Sequence, residues 1–197
     1  MLLDRKGRSL ENLRLSVTDR CNLRCHYCMP EAHYEWLERD SLLSFEELSR
    51  LVDSFIELGV KKVRLTGGEP LLRRNLSHFI SMLAKKPLND LAMTTNGVFL
   101  AKHVQSLKDA GLGRLTISLD TLRPERFLAL TGQDVFEDVV RGIDSALDAG
   151  FERPKINCVL MQGFNDDEII DFVEFAKDRA LELRFIEYMD VGGATKW

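Results

Sequence analysis

A unit of amphipathic helix, glycine and short apolar strand recurs along the chain and restricts its fold more than any other feature. In the clearest unit, Ser44 and Glu47 have the spacing of a helix-capping box, and Gly59 precedes an apolar run at 60–66. The same unit recurs at 107–119 and at 146–160. Helices that alternate with strands in this way predict an α/β fold with a parallel sheet.

Six strands are predicted, and this number indicates a barrel that does not close. The strands span residues 13–18, 60–66, 88–94, 115–119, 156–160 and 181–189, and a further helix is predicted at 166–178. A closed barrel of eight units usually needs ~250 residues, whereas six units fit within the 197 residues of this chain. We therefore expect a partial (βα)6 TIM-like barrel with its functional residues at the carboxyl ends of the strands.

Several of these strands alternate polar with apolar residues, although parallel strands covered on both faces are usually apolar throughout. The polar positions include three cations, Arg14, Arg64 and Lys155. Helices have to cover the apolar face, so the polar face is expected to line the barrel. Unpaired cations in an enclosed space are costly, and these three need an anionic partner. A bound ligand is one candidate. Pairing with Asp120 and Glu187, or the solvent-facing side of an open antiparallel sheet, remains an alternative.

Three of the four cysteines, Cys21, Cys25 and Cys28, lie within eight residues directly after the first predicted strand. Clustered cysteines of odd number, in a chain long enough to fold around its own core, favour metal ligation over disulfides. Three thiolates on one loop suit a [4Fe-4S] cluster in which one iron stays open. A zinc site completed by His26 or His33 is the alternative.

The Cys-x3-Cys-x2-Cys loop, together with the run Gly-Gly-Glu-Pro at 67–70, resembles the radical S-adenosylmethionine (SAM) superfamily. The resemblance implies a [4Fe-4S] cluster on the three clustered cysteines, with SAM on the open iron and the SAM ammonium received at 67–70. It also implies that an electron from the cluster cleaves SAM to a 5′-deoxyadenosyl radical, which takes hydrogen from the substrate.

Five stretches of the chain are similar to the GTP 3′,8-cyclases, the radical SAM family that begins molybdenum cofactor biosynthesis. These stretches are 13–30, 64–73, 94–97, 118–120 and 184–189. Position by position, the resemblance implies cofactor contacts from Tyr27, Gly68, Glu69, Ser118 and Met189. It implies GTP contacts from Arg14, Arg64, Thr95 and Lys155. The triphosphate would then supply the anion that the cations of the polar face require.

That family also has a second cluster, held by three cysteines beyond the barrel, and this sequence contains no such group. We therefore interpret residues 1–197 as a radical SAM core domain without the C-terminal region that holds the second cluster, and we expect poor GTP turnover. The resemblance further implies an external electron donor, a homodimer, and transfer of the product to cyclic pyranopterin monophosphate synthase.

Composition argues against two classes of partner. A net charge of −4, from 27 Lys and Arg against 31 Asp and Glu, disfavours a surface that coats nucleic acid. The sequence shows no signal peptide and no apolar stretch of membrane-spanning length, so we expect a cytoplasmic protein with no membrane partner. Another radical SAM enzyme, for example one that modifies a peptide, and a non-catalytic zinc-binding module are the alternative functions. Arg73, close to the Gly-Gly-Glu-Pro run, either points to solvent or reaches SAM or phosphate.

Overall fold

Six parallel strands form one sheet in the order of the chain in the computed structural model, which describes residues 3–31 and 33–189. The strands are β1 (Asn12–Ser16), β2 (Lys62–Thr66), β3 (Asp90–Thr95), β4 (Arg114–Ser118), β5 (Lys155–Leu160) and β6 (Glu182–Glu187). Each strand pairs only with its sequence neighbours in the described part of the chain, so β1 and β6 are edges. The predicted open α/β barrel of six units is confirmed.

The helices lie between the strands, as the recurring unit predicts. They are α1 (Phe45–Glu57), α2 (Leu76–Ala84), α3 (Leu100–Asp109), α4 (Pro124–Thr131), α5 (Phe136–Asp148) and α6 (Ile169–Asp178), with 3-10 turns at Arg39–Ser41, Pro70–Leu72 and Asp166–Glu168. The capping box of α1 is formed, because Ser44 Oγ accepts from Glu47 N (3.1 Å) and Glu47 Oε2 accepts from Ser44 N (2.7 Å). Gly59, with φ of 116°, then turns the chain towards β2.

The helix predicted at 166–178 is divided in the structure. A 3-10 turn occupies Asp166–Glu168, and α6 begins at Ile169. The turn directs the Glu168 side chain into the protein, where it is fully buried and accepts hydrogen bonds from Thr121 Oγ1 (2.7 Å) and Leu122 N (2.6 Å). The hydrogen bonds to the buried Glu168 carboxylate stabilise the 3-10 turn here, although the sequence pattern is that of a continuous helix.

The two faces of the sheet divide as the alternation predicts. Apolar strand residues such as Leu65, Ile117 and Ile156 have no exposed surface and pack beneath the helices. Polar positions share the opposite face, which lines the barrel lumen, and the register sets Arg14 beside Arg64 on neighbouring strands. No helix within the described ranges combines the length and the apolar character needed to cross a membrane.

The packing of α5 against the loop after β3 depends on Gly142. A Cβ atom at this position would lie 2.5 Å from Gly97 O and 3.1 Å from Leu100 Cβ. Gly97 lies in the loop after β3, at the carboxyl end of the sheet, where a barrel has its functional site. The close approach of α5 therefore holds this loop in position.

Replacing Gly142 with Ala is expected to destabilise the protein by about 1–3 kcal/mol, because the added methyl group overpacks the contact. Elsewhere in a helix the same change usually stabilises by about 1 kcal/mol. Urea denaturation measures the difference, and Ser145→Ala, on the same helix, serves as the control with a change within about 0.5 kcal/mol. A Gly142→Ala protein as stable as the wild type would show that α5 does not press on Gly97.

Candidate active site

The cysteine loop follows β1 and is fixed against the end of α4. Arg24 N donates to Thr131 O (2.9 Å) and His26 N donates to Leu130 O (3.1 Å). The Arg24 guanidinium donates to Cys21 O (2.8 Å), and within the loop Cys28 N donates to Cys25 O (2.9 Å). These bonds give the backbone around the three cysteines a defined course at the carboxyl end of the sheet.

The three thiols share one neighbourhood. Burial raises the pKa of Cys25 to about 12, and the negative charges of Asp120, Cys21 and Cys28 add to this increase. Burial also raises the pKa of Cys21 and of Cys28. The free thiols are therefore protonated at neutral pH, and they become thiolates when a metal displaces the protons.

A [4Fe-4S] cluster and a single metal ion need different arrangements of these cysteines. Across residues 3–31 and 33–189, no three His, Cys, Asp or Glu side chains form a group that could hold one metal ion. In a [4Fe-4S] cluster each thiolate binds a different iron, so three cysteines of one loop need to surround a space rather than to meet at a point. Cys28 is exposed and the other two are half-buried, which leaves the loop open on one side.

Tyr27 connects the middle of the cysteine loop to the segment that follows β4. Its hydroxyl donates to Asp120 Oδ2 (2.8 Å), just beyond the end of β4. Asp120 Oδ1 accepts from Val159 N of β5 (2.8 Å). Burial raises the pKa of Asp120, while both of these hydrogen bonds act in the opposite direction. Tyr27 is predicted to contact the cofactor, and its hydrogen bond to Asp120, 93 residues away, was not predicted.

The run at 67–70 lies directly against the end of β1. A side chain at Gly68 would meet Arg20 O at 2.3 Å, and one at Gly67 would meet Thr18 O at 2.3 Å. Gly68 N donates to Thr18 O (2.8 Å) and Glu69 N donates to Arg20 O (2.7 Å). Among the described residues, no donor reaches the carbonyl oxygen of Gly67 or Gly68. These two oxygens are suitable acceptors for an ammonium group such as that of SAM.

Glu69 is a buried residue that stabilises the site through hydrogen bonds. Its side chain has 0% exposed surface. Oε1 accepts from Leu71 N (3.0 Å) and Thr95 Oγ1 (2.8 Å), and Oε2 accepts from Asn96 N (2.7 Å). Burial raises the pKa of Glu69, and the three hydrogen bonds act against that shift. The Glu69 carboxylate holds the ends of β2 and β3 together, and a cofactor contact from this residue stays a prediction.

Two of the residues expected to bind GTP have partners inside the protein. Thr95 is 2% exposed and donates its hydroxyl to Glu69, so its side chain does not face the lumen. The preceding Thr94 has that position, and its hydroxyl accepts from Arg64 Nη1 (3.1 Å). Lys155 lines the lumen and forms an ion pair with Glu182 of β6, so its anionic partner lies within the protein, as the alternative had it, but is neither Asp120 nor Glu187. A GTP contact from Lys155 stays a prediction.

Arg14 and Arg64 differ from Lys155 in having no carboxylate of the described residues within ion-pair distance. They line a cavity of about 300 Å³ together with Lys62, Arg114, Arg184 and Asp90, whose carboxylate pairs with Arg114. Burial lowers the pKa of Arg64, and the positive charges of Arg114 and Arg14 add to that shift. Arg114 lies two residues before Thr116 in β4 and therefore on the same face of the sheet. The alternation of this strand could have identified Arg114 as a lumen residue from the sequence.

Ser118 lies at the carboxyl end of β4, and Asn157 of β5 lies beside it. Asn157 Oδ1 is buried without a hydrogen-bond partner in the described chain. Buried acceptors are normally satisfied, so this oxygen is a candidate contact for a ligand donor. Met189, 58% exposed, follows β6 at the open edge.

Arg73 is neither free in solvent nor directed at the mouth. Its guanidinium donates to Val17 O (2.7 Å) and to Leu43 O, and it lies 4.2 Å from the centre of the Phe45 ring. Arg73 therefore connects the end of β1 to the segment that precedes α1.

The Tyr27→Phe substitution is expected to loosen the cysteine loop, because Asp120 Oδ2 then remains buried without a donor. A loss of about 1–3 kcal/mol in stability accompanies this. Amide hydrogen exchange of residues 21–31 should become faster. Tyr34→Phe is the matched control, since its hydroxyl accepts from the exposed Glu31 N in the same loop (2.9 Å) and not from a buried group. Equal exchange in both variants would contradict a bracing role for Tyr27.

Comparison with known proteins shows the family to which the chain belongs. The family model described as "Radical SAM superfamily" matches residues 15–176. A GTP 3′,8-cyclase 3 of Mycobacterium bovis is 55% identical over 98% of this chain and 53% of its own length. A GTP 3′,8-cyclase of Acidothermus cellulolyticus is 50% identical over 98% of this chain and 55% of its own length. The chain thus spans about half the length of these curated relatives.

Solved structures share the fold at low identity. Streptococcus suis SuiB bound to S-adenosylmethionine superposes with a TM-score of 0.80 at 20% identity, over 95% of this chain and 43% of that one. The protein anSMEcpe with bound AdoMet gives 0.74 at 20% identity, over 93% of this chain and 51% of that one. With its cysteine loop, its Gly-Gly-Glu-Pro run and its six-stranded open barrel, the chain belongs to the radical SAM superfamily.

Proposed function

We propose that this chain is the catalytic core of a GTP 3′,8-cyclase, which cyclises GTP in the first step of molybdenum cofactor biosynthesis. The observation that carries the proposal is a cysteine loop at the mouth of a lumen where Arg14 and Arg64 have no carboxylate partner in the described residues. Relatives at 50–55% identity that are named GTP 3′,8-cyclase support it.

In this proposal Cys21, Cys25 and Cys28 hold the [4Fe-4S] cluster that membership of the superfamily implies. Tyr27 and Asp120 fix the course of the loop, and the carbonyl oxygens of Gly67 and Gly68 receive the SAM ammonium. Ser118, Asn157 and Met189 contact the remainder of SAM. When bound, the cluster and SAM supply a 5′-deoxyadenosyl radical that abstracts hydrogen from the substrate.

The lumen binds the triphosphate of GTP in this proposal. Arg64 is oriented by the hydroxyl groups of Thr94 and Thr116, at 3.1 and 2.9 Å. Among the described residues no carboxylate lies within ion-pair distance of Arg64, and the negative charge of Asp90 acts on it across the cavity. Arginine in a partly dry cavity binds phosphate oxygens strongly because its planar donors form paired, charge-assisted hydrogen bonds. Lys155 remains part of the lumen wall, and it can shift from Glu182 to a phosphate when the anion arrives. The hydroxyl of Thr95 supports this wall indirectly through Glu69.

The proposal concerns the whole protein, since the curated relatives are nearly twice as long as the matched region. Four further features stay predictions for the complete activity. They are a second cluster beyond the barrel, a homodimer, an external electron donor, and transfer of the product to cyclic pyranopterin monophosphate synthase. The expectation that the 197-residue chain alone turns over GTP poorly also stays a prediction.

Anaerobic reconstitution is expected to yield about four irons and four sulfides per chain, the content of one [4Fe-4S] cluster. Iron and sulfide analysis with ultraviolet–visible absorption measures this. Cys25→Ala should lose most of the iron, whereas Cys158→Ala should retain it, because Cys158 is fully buried in the helix-covered core. One zinc per chain without sulfide would contradict the proposal and favour a zinc-binding module.

The Arg14→Ala substitution is expected to weaken GTP binding about 10- to 100-fold, since one charged hydrogen-bonding group contributes about 1.5–3 kcal/mol. SAM cleavage without GTP should persist, because Arg14 lies at the lumen cavity and not in the cysteine loop. Anaerobic calorimetry measures binding, and Arg141→Ala, an exposed arginine on α5, is the control. Unchanged GTP affinity in Arg14→Ala would count against GTP as the substrate and favour another radical SAM reaction.

A further inference from the structure

A second group of arginines lies outside the lumen, beside the cysteine loop. Arg20, Arg39, Arg73 and Arg74 line a cavity of about 420 Å³ with Thr18 and two leucines. No acidic residue lines this cavity, and within residues 3–31 and 33–189 none of the four arginines has a carboxylate within ion-pair distance. We call this group the arginine face.

The arginine face is built onto the cysteine loop. Arg20 directly precedes Cys21, and its guanidinium donates to Leu37 O (3.4 Å) while its Nε is buried without a partner. Asp19 Oδ2 accepts from Leu37 N (2.7 Å), so the segment that carries Leu37 is fastened to residues beside the first cysteine. The face therefore has a fixed position next to the site that we assign to the cluster.

Exposed apolar side chains adjoin these cations. Leu72 lines the cavity and is 40% exposed, and Leu37 and Leu43, which accept hydrogen bonds from Arg20 and Arg73, are 55% and 48% exposed. Arg39 and Arg74 are exposed at the rim. Arginines that surround exposed leucines are typical of surfaces that bind another protein, since apolar contacts supply affinity and charges guide the approach.

We propose that the arginine face is the docking surface for an acidic protein that donates single electrons to the cluster. The inference rests on the proposed function, whose cluster must receive one electron for each SAM cleaved. The donor is oxidised by one electron and the cluster is reduced by one, and no proton or group crosses the interface. Arg39 and Arg74, the exposed members of the arginine face, attract an acidic partner. Glu38 and Asp40 flank Arg39 in the sequence, but neither lines the cavity, where the positive charge is concentrated.

The test compares a protein donor with a chemical one in the reconstituted protein. SAM cleavage to 5′-deoxyadenosine is measured with an acidic flavodoxin in its reduced form and, separately, with dithionite. Arg39→Glu and Arg74→Glu are the variants, because both side chains are exposed and neither is part of the proposed site. Lys102→Glu, exposed on α3, makes the same charge change away from the face. Arg39→Gln and Arg74→Gln give the milder charge loss.

With flavodoxin at low salt, each Arg→Glu variant should cleave SAM about 10-fold more slowly, with a smaller effect for the Gln variants and none for Lys102→Glu. The difference should shrink as ionic strength rises, because salt screens the attraction. The dithionite rates should match the wild type. Unchanged flavodoxin rates would overturn the docking surface, as would an equal loss with dithionite. Absence of SAM cleavage in the wild type with dithionite would instead overturn the proposed function itself, and the donor surface with it.

Discussion

A buried carboxylate joins the loops from which the site is built. Glu69 receives hydrogen bonds from Leu71, Thr95 and Asn96, and its own N–H donates to Arg20 O beside the first cysteine. Asn96 continues this chain of contacts, because its side-chain amide lies 3.8 Å from Cys21 Sγ. A buried donor without its acceptor costs about 1–3 kcal/mol. The relative positions of the three loops therefore depend on one buried side chain.

The charges of the lumen divide into two groups. Arg114 is neutralised by Asp90, and Lys155 and Arg184 share Glu182, so these cations are balanced within the protein. Arg14 and Arg64 lack such a partner in the part of the chain that the structure describes. An incoming anion therefore gains most from these two arginines, and the balanced pairs preserve the lumen when no anion is bound.

Much of the fold could be predicted from local pattern, because helix caps and strand alternation depend on neighbouring residues. Ser44 and Glu47 form their capping box, and the polar face of every paired strand lines the lumen. Pairings across the sheet could not be predicted, since the match of Lys155 to Glu182 depends on strand register. The contact of Thr95 with Glu69 could not be predicted either, because β3 extends one residue beyond the predicted end and either of two adjacent threonines could face the lumen. The contact of Tyr27 with Asp120 depends on the course of the cysteine loop, which local sequence does not determine.

The central claim is that three cysteines on a braced loop leave one iron free for SAM at the mouth of the lumen. Pulsed EPR on the reduced, reconstituted protein, with SAM carrying 15N in its amino group, tests this most directly. The account predicts a hyperfine coupling between the cluster and the labelled nitrogen that is absent without SAM. A cluster spectrum that SAM leaves unchanged, with no nitrogen coupling, would contradict it.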